Sequence, residues 1–142
     1  MRFYVAAASG EIALAEDVIA ELRAIGHAIA FDWPAHIRAM NAADRDLSQT
    51  VREASARADL DAVGTCDAFW LLVPEGRSSG AWLELGYALG RKTRPLILVS
   101  GDWQRTIFAE LTDRRFATHD EARTWIRAAS TPRPPYQWAV KP

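Results

Sequence analysis

Between Asp67 and Val73 the chain reads Asp-Ala-Phe-Trp-Leu-Leu-Val, an apolar run with no polar alternation after its first residue. A strand with one face in water alternates polar and apolar positions, so this run predicts a strand covered on both faces. Shorter runs of the same kind occur at Arg2 to Ala8, His27 to Phe31 and Leu96 to Val99, with a weaker one at Arg115 to Thr118. Helical segments fall between them. From Glu11 to Ile25 the apolar residues Ile12, Leu14, Ala15, Val18, Ile19, Leu22 and Ile25 recur at helical spacing, and Gly26 stands where a C-terminal cap is expected. Ala35 to Arg57 has helical composition and room for one or two helices. Ala81 to Arg91, Thr106 to Leu111 and Asp120 to Ala129 complete the set.

Five both-face-apolar strands alternating with helices predict a parallel sheet wrapped on both sides. The expected fold is α/β, a Rossmann-like or flavodoxin-like three-layer sandwich with a five-stranded parallel sheet. The chain of 142 residues suits one domain over 1–130, followed by a Pro-rich tail over 131–142. Seventeen basic against eighteen acidic residues leave no cationic excess for a nucleic-acid polymer. One cysteine, Cys66, excludes an intrachain disulfide, and three scattered histidines do not make a zinc site, so neither metal nor cofactor is expected. Acids follow the apolar start at once, and the run Ala68 to Pro74 is too short to cross a bilayer. The reading is a cytoplasmic domain with no membrane partner. Its six tryptophans are read mainly as core and interface anchors.

In a doubly wound sheet, ligands bind beyond the carboxyl ends of the strands, where the strand order reverses. That directs attention to Ala7 to Gly10, Asp32 to Pro34, Pro74 to Glu84 and Ser100 to Trp103. The segment Ser78-Ser79-Gly80-Ala81-Trp82-Leu83-Glu84 offers hydroxyls and helix amides suited to an anion such as phosphate. Glu84 is placed in the first turn or so of that helix, where the macrodipole favours its ionised form. An ionised carboxylate in a crevice can attack an electron-poor carbon; an ordinary dipole-compensating glutamate would look the same in sequence. Gly86 and Gly90 weaken a helix by about 1 kcal/mol each, and close approach of the helix to the sheet is the expected reason. Tyr4 could orient a carboxylate at the strand tips or simply pack. Asp59 and Asp61 sit late in a helix, where acids oppose the dipole. Asp67 reads as a structural cap.

Three segments together resemble the nucleoside 2-deoxyribosyltransferase family and the related (deoxy)nucleoside 5′-monophosphate N-glycosidases. They are Phe3-Tyr4-Val5, Asp59-Leu60 with Asp67-Ala68-Phe69, and Gly80 followed by Glu84-Leu85-Gly86-Tyr87-Ala88-Leu89. The resemblance implies that Glu84 is the nucleophile that holds the sugar covalently. It also implies that Asp59 assists protonation of the leaving base and that Tyr4 holds the glutamate. Ser78, six residues before Glu84, matches the serine of the monophosphate hydrolases, where the transferases carry an aspartate. A serine and helix amides welcome a phosphate that an aspartate would repel. Substrate contacts are expected from Ser78, Ser79, Gly80, Ser9, Gly10 and Trp33, the last by stacking the base or by packing in the core. Ala6-Ala7-Ala8 departs from the family's glycine-containing turn, and Asp61 is an alternative to Asp59.

The expected function is therefore cleavage, by hydrolysis or transfer, of the N-glycosidic bond of a nucleoside or nucleoside 5′-monophosphate. The expected partner is that small molecule, and the resemblance implies a homodimer. A neighbouring subunit's contribution would come from Ser100 to Arg105 or from the tail with Tyr136 and Trp138. A catalytically silent nucleotide-binding module is the alternative. A phosphoacceptor receiver is disfavoured, because Ala6 to Ala8 lacks the acidic cluster and Arg115 to Asp120 the lysine it needs. A flavin carrier would share the topology.

Overall fold

A computed structural model describes residues 1–42 and 48–131. Five parallel strands form one sheet: β1 (Arg2–Ala6), β2 (Ala28–Ile29), β3 (Ala68–Leu72), β4 (Leu96–Ser100) and β5 (Arg114–Phe116). Their order is β2-β1-β3-β4-β5, the flavodoxin-like doubly wound order, whose direction reverses between β1 and β3. The helices are α1 (Ile12–Ala24), α2 (Trp33–Ala42), α3 (Gln49–Thr65), α4 (Gly80–Gly90) and α5 (His119–Ser130), with 3-10 turns at Ser9–Glu11, Trp103–Arg105 and Ile107–Leu111. The fold class read from the sequence is the one observed. Among the described residues no helix is long and apolar enough to cross a membrane.

Alternation along each strand sorts the core into two layers. Phe3, Val5, Ala68, Trp70, Leu72 and Leu98 pack with Val18, Ile19 and Leu22 of α1 and with Ala122 and Ile126 of α5. Tyr4, Ala6, Phe69, Leu71, Ile97 and Val99 face the other way, toward Trp33 and toward Ala62, Ala81, Leu85 and Ala88 of α3 and α4. The registers Tyr4↔Phe69 and Phe69↔Ile97 hold this division across the sheet. A slip of one residue would turn Tyr4 toward α1, so the apolar pattern that fixes the register also fixes where the Tyr4 hydroxyl emerges.

Several boundaries differ from the sequence reading. β2 is two residues long rather than five, because it is an edge strand paired only to Arg2 and Phe3. The chain then leaves the sheet at Asp32, whose carboxylate accepts from Ala35 N–H at 3.0 Å and caps α2. The Asp-Trp-Pro segment that stops the strand also starts a helix. Two helices occupy the Ala35 to Arg57 stretch and beyond, and residues 43–47 between them lie outside the described residues, as does the tail after Thr131. β5 begins at Arg114 and ends at Phe116 because Thr118 caps α5, accepting from Glu121 N–H at 3.1 Å.

Gly26 ends α1 at φ +91°, the left-handed conformation that closes a helix C-terminus with glycine. The reason expected for Gly86 and Gly90 is not found. A Cβ at either would meet nothing within 4 Å, because both lie on the exposed side of α4. Close approach is instead made by Gly64 of α3, where a Cβ would stand 3.2 Å from the Tyr87 hydroxyl.

Candidate active site

β1 and β3 are the two central strands between which the order reverses, and a cleft of about 330 Å³ opens at their carboxyl ends. Ala7 and Ser9 after β1 form one side, Trp33, Ile37 and Asp59 a second, and the loop from Arg77 to Gly80 with Glu84 a third. Each acid comes from a separate element. Asp59 projects from α3 and Glu84 from α4, both helices packed on the Tyr4 face of the sheet.

Tyr4 joins them. Its ring is almost fully buried and lies 5.9 Å from Phe69, nearly parallel to it. Its hydroxyl stands 3.0 Å from Asp59 Oδ1 and 3.0 Å from Glu84 Oε1. Asp61, the alternative to Asp59, is exposed on the outer side of α3. The helical period explains the choice: positions two apart point about 200° away from each other around the axis.

Burial dominates the electrostatics. It pushes Glu84 up from the ordinary glutamate value of 4.5 to about 8, and the Asp59 charge adds to the rise. Asp59 also rises through burial, opposed by Tyr4 and by nearby His36. The Tyr4 phenol is driven above its ordinary range by burial first, then by the charges of Glu84 and Asp59. The expectation that the macrodipole keeps Glu84 ionised is thus corrected. Glu84 is the fifth residue of α4, past the first turn, and desolvation outweighs a dipole that fades beyond it.

The loop before α4 matches the sequence reading in position. Ser78 Oγ accepts from Ala81 N–H at a long 3.4 Å, and Ser79 makes no side-chain capping bond. The Gly80 and Trp82 amides have no intrahelical acceptor, and Gly80 lines the cleft at this end of α4. Arg77, which the sequence reading passed over, lines the same cleft. Its adjacency to the Ser-Ser-Gly segment was the available signal. Ser9 also lines the cleft; Gly10, exposed on the same 3-10 turn, is not among its walls. Trp33 is a fixed wall rather than a free stacking ring, since it is buried and its indole N–H donates to the Val5 carbonyl at 2.8 Å.

Trp33, Ile37 and Asp59 also border a second, more apolar cavity of about 370 Å³ that runs between α2 and α3 past Phe31 and Met40. Asp59 therefore stands at the junction of a polar cleft and an apolar one. The loop after β4 lines a different cavity, with Gly101 and Asp102 beside Val73 and His119. It is not among the walls of the Glu84 cleft. Tyr136 and Trp138 lie outside the described residues. Among the described residues no group of three or more His, Cys, Asp or Glu side chains is arranged to hold a metal ion.

No family model and no curated protein matches the chain. Among solved structures it is similar to the Clostridium botulinum CMP N-glycosidase BcmB, with a TM-score of 0.56 and 17% identity, covering 91% of this chain and 98% of that one. The likeness establishes the fold. It spans almost the whole of both chains.

Proposed function

We propose that this protein cleaves the N-glycosidic bond of a nucleoside 5′-monophosphate through a covalent glycosyl intermediate on Glu84. The observation that carries the reading is the pair of half-buried acids from different helices meeting on one tyrosine hydroxyl, at the mouth of the sheet's switch point. The sequence resemblance and the fold shared with a CMP N-glycosidase support it.

Because both acids touch one hydroxyl, their facing oxygens can be no more than about 6 Å apart, close enough for both to act on one glycosidic bond. In this mechanism Glu84 attacks the anomeric carbon as the bond to the base breaks. Asp59, at the junction of the two cavities, gives a proton to the departing base nitrogen. The sugar and phosphate occupy the polar cleft, with phosphate oxygens accepting from Ser78, the α4 amides and Arg77. The base occupies the apolar cavity beside Trp33 and Ile37. Water, or a second base, then releases the sugar from Glu84.

The test is incubation with ribo- and deoxynucleoside monophosphates and with the free nucleosides, following released base by chromatography. Base release from monophosphates, abolished by Glu84→Gln, is the expected result. Release unaffected by that substitution removes Glu84 from the chemistry. Binding of monophosphates with no release from any of them would make the chain a nucleotide-binding module.

A further inference from the structure

We infer that Asp59, Tyr4 and Glu84 hold one carboxyl proton in common, and that the Tyr4 hydroxyl passes it between the two acids. The inference rests on the glycosidase reading for its use in catalysis, and on proton counting for its geometry. A phenol has a single proton to donate, yet the Tyr4 oxygen lies 3.0 Å from a carboxyl oxygen on each side. Donation satisfies one acid. The other contact is a hydrogen bond only if that second acid is protonated and donates to the phenol oxygen. With both acids ionised, one carboxylate would face a lone pair at 3.0 Å in a half-buried site, an arrangement that partial desolvation disfavours. Tyr4 cannot relieve it by losing its proton, because the same surroundings hold the phenol protonated. The three groups therefore share one negative charge.

The exchange balances. Glu84 passes its Oε1 proton to the Tyr4 oxygen while Tyr4 passes its own proton to Asp59 Oδ1. Two O–H bonds break, two form, and the negative charge moves from Asp59 to Glu84. Burial makes Glu84 the holder of the proton in the resting site, and the exchange converts it to the carboxylate that attack requires. Asp59 becomes the acid whose proton leaves with the base as the bond from the anomeric carbon to nitrogen breaks and the bond to Glu84 forms. The other titratable groups lining the cavities beside these acids are His36 from α2, Arg52 from α3 and Arg77 from the loop after β3. Tyr4 acts through the two acids and is a positioning residue.

Tyr4→Phe keeps the buried ring and removes only the hydroxyl. The experiment is a carboxyl infrared titration of the full substrate-free chain, comparing wild type with Tyr4→Phe and assigning bands with Glu84→Gln and Asp59→Asn. In Tyr4→Phe the two apparent titration steps of the pair should move toward each other, each by about one pH unit. The acid that received the phenol proton rises, and the acid that donated to the phenol oxygen falls. Where base release is measurable, its bell-shaped pH profile narrows from both sides. Two steps that stay in place, or move in the same direction, would overturn the shared proton. Converging steps with no base released from any nucleotide leave the shared proton standing and sink the glycosidase reading. Glu84-dependent release without convergence does the opposite.

Discussion

Glu84→Gln should inactivate the protein and make it more stable, by an amount that grows with pH. Glutamine keeps the size of the side chain and cannot carry the charge that burial penalises. The glutamate is pushed from 4.5 in the unfolded chain up to about 8 in the native one, so the native state binds the extra proton across that interval. Stability from this group is therefore fully present below pH 4.5, falls as the pH rises, and is gone above pH 8. At about 1.4 kcal/mol per unit, the shift corresponds to roughly 5 kcal/mol in all, of which about 3 kcal/mol is lost between pH 5 and pH 8. Glutamine lacks this term. Urea unfolding of wild type and variant at pH 5, 6, 7 and 8 reads the difference directly. The variant's advantage should widen steadily across the series, by about 3 kcal/mol from end to end. A constant difference would refute the claim that Glu84 is buried at a cost in its ionised form. An advantage that narrows as the pH rises would reverse its sign. Activity lost while stability is gained is the pattern of a residue kept for chemistry rather than packing.

Other outcomes follow from the same geometry. Asp59→Asn should lower turnover of nucleotides about 10²- to 10⁴-fold. A nitrophenyl riboside 5-phosphate, whose leaving group needs no proton, should be spared most of that loss, as a side-by-side kcat comparison would show. Ser78→Asp sets a carboxylate against the proposed phosphate, so KM for monophosphates should rise at least about tenfold while KM for free nucleosides does not, in steady-state assays. Gly86→Ala adds a methyl group to open space on the exposed side of α4, and urea unfolding should find the variant about 0.5–1 kcal/mol more stable. Destabilisation there would mean that something packs against that face.

The sheet was legible because its strands state their burial in their own composition. Asp67 to Val73 could be nothing but a central strand, and the alternation with helices left little choice but a parallel, doubly wound arrangement. The short edge strand was legible only in part: β2 has one neighbour, and Ala30 and Phe31 at the end of the apolar run pack against the core beside Trp33 instead of pairing in the strand. The site residues were nameable one at a time, but their meeting was not. Tyr4, Asp59 and Glu84 are 55 and 80 positions apart along the chain where they touch, and no periodicity spans such gaps. What brings them together is a register, set by apolar residues that play no part in chemistry: Tyr4 faces α3 and α4 because Phe3 and Val5 must face α1 and α5. Local rules misled at the points where burial overrides them. The dipole argument for an ionised Glu84 holds for an exposed first turn and fails at a fifth residue that burial partly desolvates. The glycine argument failed in the opposite sense, since Gly86 and Gly90 relieve no crowding inside the chain while Gly64, unremarkable in sequence, does. Both errors have one origin, because sequence reports which residues can tolerate an environment and only the packed layers decide which environment each receives.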